Sequence, residues 1–207
     1  MYTPEVFRVE DRDEITTMIR SCGLATLITR SAESLIATPL PMIYAAEEGE
    51  LGVLYGHVSK GNSQWKDSLP EEALVIFQGP NAYITPTWYA TKQETGRVVP
   101  TWNYIAVHAY GPAEFFHEPD RLLKIVSALT DTHEAARQSN WSVQDAPEEF
   151  IHAQLRAIVG VRIPIQCIEA KKKMSQNQPA QNRAGVKAGL AESSRGGDRE
   201  VAKIIPA

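Results

Sequence analysis

The sequence has little of what marks a metalloprotein, a disulfide-stapled domain or a membrane protein. It contains two cysteines, Cys22 and Cys167, far apart and without a CxxC motif, and we expect both to be reduced and buried. Its five histidines lack metal-ligand spacing, so no metal site is predicted. No apolar run is long enough to span a membrane, and the first residues do not resemble a signal peptide. We therefore expect a soluble, cytoplasmic protein.

The chain also lacks an excess of positive charge. Its formal net charge is -4, whereas DNA-binding proteins usually concentrate lysine and arginine on one face. The one basic cluster, Lys171–Lys173, is too short to indicate a nucleic-acid surface, and no helix-turn-helix pattern is present. Neither a Gly-x-Gly-x-x-Gly motif nor a P-loop nor a Gly-x-Ser-x-Gly elbow occurs, which disfavours Rossmann, nucleotide triphosphatase and serine hydrolase chemistry.

Short apolar runs separated by turn residues predict a mainly β protein. The runs at 24–29, 35–44 and 51–57 are joined by short polar segments, as in an antiparallel meander. Further strands are expected at 73–77, in the second half of 98–111, at 113–116 and at 158–170, with a turn at 78–81. Helices are expected at 11–21, 62–68, 120–132 and up to residue 155. An exposed loop is expected at 91–97. From residue 175 the composition becomes polar and small, so we expect one domain, 1–174, followed by a weakly helical or mobile extension, 175–207.

The segment Tyr55–Trp65 has the outline of an anion site. A strand-like run ends here, Ser59 and Lys60 stand side by side, and a helix is expected to begin after Gly61. A hydroxyl, an ammonium group and the free N–H groups of a helix N-terminus can together hold a phosphate. The same residues, with Asn62, also fit ordinary helix capping, so both interpretations stand. His57 and Ser59 share a strand face, but this spacing alone does not indicate serine catalysis.

Pro39 and Pro41 interrupt the second predicted strand. A proline in a strand favours an edge or a bulge, because it lacks the N–H that a central strand donates. The neighbouring N–H groups of Thr38 and Leu40 would then be free to meet the polar edge of a flat ligand, although edge protection explains the prolines equally well.

Aromatic and polar residues are concentrated between Tyr83 and Tyr110. This stretch carries Trp88, Tyr89, Trp102 and Tyr104, interleaved with threonine, asparagine and histidine. Such a mixture occurs in protein cores, but it also suits a pocket for a planar ligand that stacks on rings and forms hydrogen bonds at its edges. Combined with the anion site, it predicts a planar ring that carries a phosphate.

Four segments resemble one known family, in the same order: Tyr55–Asn62, Gly79–Tyr89, Val99–His108 and Lys173–Asn177. They are similar to the PaiB family of FMN-binding negative transcriptional regulators, which is related to the pyridoxamine-phosphate-oxidase-like flavin split barrels. The resemblance covers essentially the whole chain. It implies a six-stranded Greek-key split barrel with flanking helices, a homodimer with FMN at the subunit interface, and a regulatory role in sporulation and degradative-enzyme synthesis.

The resemblance also implies cofactor-binding residues. Ser59 and Lys60 would hold the FMN phosphate, and residues 37–40 would line the isoalloxazine edge. Trp102 and Asn103 would approach the flavin from the second subunit. The predicted cofactor-binding set is Thr38, Pro39, Leu40, His57, Ser59, Lys60, Asn62, Trp102 and Asn103.

The sequence departs from the related oxidases at one position. Those enzymes have a phosphate-binding arginine on the second strand, but here the run Ile36–Pro39 has none, so weaker retention of FMN is expected. The Gln176-Asn177 motif also matches the family, but the sequence assigns it no physical role.

Three functions are compatible with these residues. The first is an FMN-binding regulator that acts through DNA or a regulatory protein, with the negative net charge counting against direct DNA contact. The second is a small FMN-dependent oxidoreductase, since the cofactor itself can supply the redox chemistry. The third is a binding module for haem or a flavin-like ligand.

Overall fold

A computed structural model of the chain describes residues 1–69 and 72–206. Its strands and helices are, in chain order, β1 (Arg8–Val9), α1 (Arg12–Ser21), β2 (Ala25–Arg30), β3 (Leu35–Leu40), β4 (Ile43–Ala45), β5 (Val53–Ser59), α2 (Gln64–Asp67), β6 (Glu72–Ile84), α3 (Thr91–Thr95), β7 (Thr101–Pro112), β8 (Glu114–Phe116), α4 (Pro119–Ala135), α5 (Glu148–Leu155), β9 (Ile158–Pro164), β10 (Cys167–Lys173), α6 (Ala180–Ala191) and α7 (Gly196–Ile204). Short 3-10 turns lie at Glu5–Phe7, Pro86–Trp88 and Val143–Asp145.

The chain divides into two compact units. The first unit consists of Met1–Ser21, Gln78–Val107 and Glu169–Ala207, and the second of Cys22–Phe77 and His108–Ile168. The divisions at 77/78, 107/108 and 168/169 fall inside β6, β7 and β10. The domain boundary expected at residue 174 stays a prediction.

In the second unit, β2 lies between β6 and β3. It pairs antiparallel with β3 from Ala25↔Leu40 to Arg30↔Leu35, and with β6 from Ala25↔Phe77 to Ile28↔Leu74. Burial alternates along β2, as expected for a strand with one face on a core. β3 is the last strand in the order, so the prediction that a proline-containing strand lies at an edge is confirmed for Pro39, whereas Pro41 lies just after β3.

The second unit also contains a four-stranded antiparallel sheet, in the order β4-β5-β9-β8. β5 and β9 pair over their full lengths, from Val53↔Pro164 to Ser59↔Ile158. The helices α4 and α5 contribute apolar side chains to a buried cluster with Phe116 of β8; its helical members are Leu122, Ile125, Leu129 and Leu155. This packing places the end of α5 beside the end of β5, where Lys60 follows.

In the first unit, β1 pairs antiparallel with β10. The two C-terminal helices bury Val186, Leu190 and Val201 completely. Gly189 of α6 faces the ring of Trp88, and a Cβ atom there would lie 2.3 Å from that ring. The absence of a side chain at Gly189 therefore allows the helix to approach the indole.

The structure corrects five local predictions. The turn expected at 78–81 lies inside the continuous strand β6, Glu72–Ile84. The strand expected at 158–170 is two strands, β9 and β10, because β9 ends at Pro164, which lacks an N–H group. The loop expected at 91–97 contains the short helix α3, which ends at Gly96 with a φ of 64°. The helix expected at 62–68 is only the four residues of α2. Cys22 is half-buried and Cys167 is exposed, so the prediction that both are buried is wrong.

None of the helices within 1–69 and 72–206 has the length and apolar character needed to cross a membrane.

Candidate functional site

The turn after β5 holds Ser59 and Lys60 at the surface in a fixed backbone arrangement. The Lys60 N–H donates to the Ala157 carbonyl at 2.8 Å, and the Lys60 carbonyl accepts from the Trp65 indole at 3.1 Å. The Ser59 hydroxyl oxygen accepts from the Gly61 N–H at 3.2 Å, and both Ser59 and Lys60 side chains are exposed. The backbone is therefore fixed while the ammonium group of Lys60 stays accessible.

Gln64 anchors the segment that follows this turn. Its fully buried side-chain amide donates to the Thr29 hydroxyl at 2.9 Å and to the Ile36 carbonyl at 3.2 Å, which ties α2 to β2 and β3. The expected helix N-terminus contributes little to an anion site, because a four-residue helix has almost no aligned peptide dipoles. Any phosphate here must therefore be held mainly by side chains.

Thr38 and Asn62 are brought together by the fold. The Asn62 amide donates to the Thr38 hydroxyl at 2.9 Å, and the Asn62 side-chain oxygen accepts from the Gln64 N–H at 2.9 Å. Asn62 thus bonds to the backbone at the first residue of α2, whereas the N-cap residue of that helix is Ser63, whose side chain forms no cap hydrogen bond. Along β3, Thr38 is half-buried, Pro39 is exposed and Leu40 is 3% exposed, so Pro39 offers the most accessible surface of the three.

A pocket of about 230 Å³ lies beside Lys60 in the second unit. Four of its lining residues carry nitrogen cations or imidazoles: Lys60, Arg156, His117 and His152. Among the residues that the structure describes, neither Lys60 nor Arg156 forms a salt bridge. Two full positive charges that lack a carboxylate partner make this pocket attractive to an anion.

The two histidines of this pocket have partners of their own. The His117 ring meets the Trp65 ring edge-on, with centroids 4.9 Å apart, and His152 lies 3.5 Å from the Glu148 carboxylate on the same helix turn. Trp65 therefore contacts both the Lys60 carbonyl and the ring of His117, a residue that lines the pocket.

His57 is placed differently from Lys60. It lines a neighbouring pocket of about 240 Å³, and its buried Nδ1 atom has no hydrogen-bond partner in the described chain. Burial lowers the pKa of the His57 ring below its usual value of 6.5, because the charged form loses hydration. His57 therefore favours its neutral form.

Trp102 and Asn103 belong to the first unit. Trp102 is 49% exposed, and its ring packs edge-on against the Tyr83 ring at a centroid distance of 6.1 Å. Asn103 is fully buried, and its amide donates to the Ser175 hydroxyl at 2.9 Å. Within one chain the Asn103 side chain is thus occupied by an internal bond, and its approach to a flavin stays a prediction.

The C-terminal motif Lys173–Asn177 acquires a structural role from these contacts. Ser175 is 3% exposed and has a φ of 62°, which is uncommon for a residue other than glycine. The Lys173 ammonium donates to the Trp102 carbonyl at 2.9 Å, and the Gln176 side chain bonds to the backbone at Met174 and Lys172. The motif therefore holds the backbone at Trp102 and the side chain of Asn103.

Sequence reasoning missed Arg156 and Ser175. Arg156 follows the last residue of α5 and reaches the Lys60 pocket only because Ala157 hydrogen-bonds to Lys60. Arg156 places a second cation beside Lys60, whereas the run 36–39 on β3 contains no arginine. The charged donors that line this pocket, an ammonium and a guanidinium, fit a phosphate monoester such as that of FMN.

The chain matches a family model described as "Putative FMN-binding domain" over residues 1–167. It is 34% identical over 179 residues to the protease synthase and sporulation protein PAI 2 of Bacillus subtilis (strain 168), which covers 86% of this chain and 83% of that protein.

Two solved structures are similar in fold. The conserved hypothetical protein Rv2991 from Mycobacterium tuberculosis gives a TM-score of 0.60 at 14% identity, covering 86% of this chain and 94% of that chain. The FAD and haem binding protein from Mycobacterium smegmatis gives 0.57 at 16% identity, covering 80% and 73%. The predicted mainly β (α+β) fold class, antiparallel strands with flanking helices, is confirmed. The described residues form ten strands, in one six-stranded and one four-stranded sheet. The chain therefore belongs to the PaiB-type family of FMN-binding proteins, and its cofactor is FMN.

Proposed function

We propose that this protein binds the phosphate of FMN in the Lys60 pocket and acts as a flavin-dependent negative regulator of transcription through a protein partner. The observation that carries the proposal is the pair of cations, Lys60 and Arg156, that line one pocket without a salt-bridge partner among the described residues. An unpaired ammonium and guanidinium in one concave site attract a dianionic phosphate more strongly than either charge alone.

Each residue of the site has a defined task in this proposal. Lys60 and Arg156 supply charge, and the exposed Ser59 hydroxyl donates one further hydrogen bond. Thr38, Pro39 and Leu40 line the edge of the ring, since β3 is the last strand of its sheet. When bound, FMN supplies a redox-sensitive isoalloxazine.

Regulation through a protein partner follows from charge. The net charge of -4 disfavours direct contact with DNA, and the named relative from Bacillus subtilis is a sporulation protein. Control by FMN would then require that the bound flavin alter a surface that the partner recognises.

Measuring FMN affinity by fluorescence quenching tests the binding step. Lys60→Ala should weaken FMN binding about tenfold or more, near 1.4 kcal/mol, because one charge-assisted hydrogen bond is lost. Lys187→Ala is the matched control, since Lys187 is an exposed lysine of α6, and it should bind FMN as the unaltered protein does. Equal affinities for both variants would show that the phosphate lies elsewhere.

Transcript levels test the regulatory step. A strain that carries Lys60→Ala should derepress the same genes as a strain that lacks the protein. If removing the protein changes no transcript, and NAD(P)H rapidly reduces the bound FMN without oxygen, the oxidoreductase alternative replaces the regulator.

The homodimer expected for the family is part of the proposal. Tyr83 and Trp102 form a ring pair in which the residues are 45% and 49% exposed, and exposed aromatic pairs are enriched in protein interfaces. Light scattering after size-exclusion chromatography should give twice the mass of 22.9 kDa. Trp102→Ala should shift the equilibrium toward monomer, and a monomeric unaltered protein would contradict the proposal.

A further inference from the structure

A second surface pocket, the α4 pocket, lies in the second unit between α4 and the strands β4, β5, β8 and β9. Its volume of about 330 Å³ suits a small organic molecule. None of the described residues lines both this pocket and the pocket beside Lys60. The α4 pocket is therefore separate from the site that we assign to the FMN phosphate.

Four charged residues of the described chain line the α4 pocket, and two of them are already paired. Arg162 donates to the Glu114 carboxylate at 2.8 Å, and Arg121 donates to the Glu118 carboxylate at 3.3 Å. The Arg121 guanidinium also lies 3.8 Å from the centroid of the Phe116 ring. These two cations are therefore balanced by carboxylates of the protein itself.

The other two charged residues, Lys124 and Glu48, are exposed and form no salt bridge within the described part of the chain. Glu48 accepts a hydrogen bond from the Tyr55 hydroxyl at 2.5 Å, which holds the carboxylate at the wall of the pocket. A carboxylate has about four lone-pair sites, so it can accept from an ammonium group as well. The described lining residues thus offer a ligand one accessible ammonium and one accessible carboxylate.

The remaining wall of the α4 pocket is mainly apolar. Two strands and α4 supply its apolar side chains: Ile43, Ala45, Phe116, Ile125 and Ala128. Ala128 follows Lys124 by one helical turn and is exposed, so its short side chain leaves space beside the ammonium. Apolar surface next to two charges suits a ligand whose charged groups are attached to an apolar body.

We infer that the α4 pocket binds an α-amino acid with an apolar side chain. The carboxylate of the ligand bonds to Lys124, its ammonium group bonds to Glu48, and its side chain packs against the apolar wall near Ala128. A zwitterion satisfies both unpaired charges at once, whereas an anion or a cation satisfies one of them and meets the other as a like charge. The inference does not depend on the binding of FMN.

Three probes with the same phenyl body test the inference on flavin-free protein at pH 7. L-Phenylalanine carries both charges, 3-phenylpropionate lacks the ammonium group, and 2-phenylethylamine lacks the carboxylate. Titration followed by NMR should give a Kd for phenylalanine on the order of 1 mM, as expected for a ligand of this size. Each analogue should bind about fivefold more weakly, because one charge of the pocket stays unpaired. Absence of phenylalanine binding, or an analogue that binds as tightly, would overturn the inference.

Two variants pair each charge of the ligand with one residue. In Lys124→Gln the preference for phenylalanine over 2-phenylethylamine should disappear, because the ligand carboxylate has lost its partner. In Glu48→Gln the preference over 3-phenylpropionate should disappear instead, while the glutamine oxygen still accepts from Tyr55. If both preferences survive in both variants, the amino acid does not lie in this pocket.

The matched controls are Glu47→Gln and Lys203→Gln, because both residues are exposed and neither lines the α4 pocket. Both should bind the three probes as the unaltered protein does. Ala128→Leu fills the pocket from an exposed position of α4 and should weaken phenylalanine about tenfold, whereas Ala135→Leu, exposed on the same helix outside the pocket, should not. Equal binding by these two variants would also overturn the assignment.

FMN separates this site from the proposed phosphate site. Saturating FMN should leave the affinity for phenylalanine within about twofold, because the two pockets have no described lining residue in common. Displacement of phenylalanine by FMN would place the α4 pocket in the flavin site and would overturn a separate amino-acid site. Lys60→Ala should leave phenylalanine binding unchanged, so a failure of the phosphate assignment and a failure of this inference are distinguishable.

Discussion

The Ser59-Lys60 turn and the Trp102-Asn103 pair are both predicted to serve one cofactor, yet their polar groups have opposite fates. Lys60 is exposed, lines a pocket with Arg156 and has no salt bridge in the described part of the chain. Asn103 is fully buried and bonded to Ser175. The charged group of Lys60 is available to a ligand, whereas the side-chain amide of Asn103 already forms a hydrogen bond inside its own unit.

This difference separates two reasons for which a polar residue can stand in a motif. An unpaired surface charge contributes little to folding and much to binding, since surface charges are largely solvated in the free protein. A buried amide contributes to folding, because an unpaired partner inside the protein is costly. The two segments should therefore respond to substitution in opposite ways.

The largest expected effect is on stability at Asn103. Asn103→Ala leaves the Ser175 hydroxyl buried without its partner and should lower the free energy of unfolding by about 2–3 kcal/mol. Urea denaturation measures the change. Ser175→Ala should then cost less in the Asn103→Ala background than in the unaltered protein, because the two side chains share one interaction.

The exposed Asn177 supplies the matched control for that experiment. Asn177→Ala removes the same side chain two residues after Ser175 and should change stability by less than about 0.5 kcal/mol. If Asn103→Ala is as stable as the unaltered protein but loses FMN, the comparison fails and Asn103 is a flavin ligand.

The sequence predicts the parts of this molecule whose signals are local. Alternating burial in β2 and the prolines that place β3 at an edge follow from neighbouring residues alone. Arg156 could not be found this way, because only the pairing of β5 with β9 brings it to Lys60. The end of β9 at Pro164 was not predicted, because the sequence does not distinguish a proline that ends a strand, such as Pro164, from one within an edge strand, such as Pro39.

The Asn103–Ser175 hydrogen bond is a second contact between distant residues that the sequence could not predict. Both residues lie in motifs that the resemblance singles out, but the sequence does not tell whether the Asn103 amide faces a ligand or another segment of the chain. In the structure both side chains are buried and bonded to each other. The order of the motifs was predictable, while the direction of each side chain was not.

A smaller effect is expected at Arg156, on binding rather than on folding. Arg156→Ala should weaken FMN binding about fivefold to tenfold and leave the free energy of unfolding within about 0.5 kcal/mol. Calorimetric titration at low and at physiological salt should show a weaker salt dependence in the variant, since one charge no longer contributes.

Arg195→Ala is the control for Arg156, because Arg195 is also exposed but does not line the Lys60 pocket. It should bind FMN normally. Unaltered affinity in Arg156→Ala would mean that Lys60 holds the phosphate without a second cation, and that the weak retention expected from the sequence is the better description.

The smallest expected effect concerns His57, a half-buried residue whose Nδ1 atom is buried and has no hydrogen-bond partner among the described residues. Burial lowers its pKa in the folded protein, so the unfolded chain binds the proton more readily. Stability should therefore be fully present above the unperturbed value of 6.5 and should decline as the pH falls below it, by at most about 1.4 kcal/mol per pH unit for one proton. Urea denaturation between pH 7.5 and about pH 5 measures the slope, and His57→Phe should make it shallower. An identical slope in the variant would mean that His57 gains its proton equally well in the folded and unfolded chains, and that its burial carries no electrostatic cost.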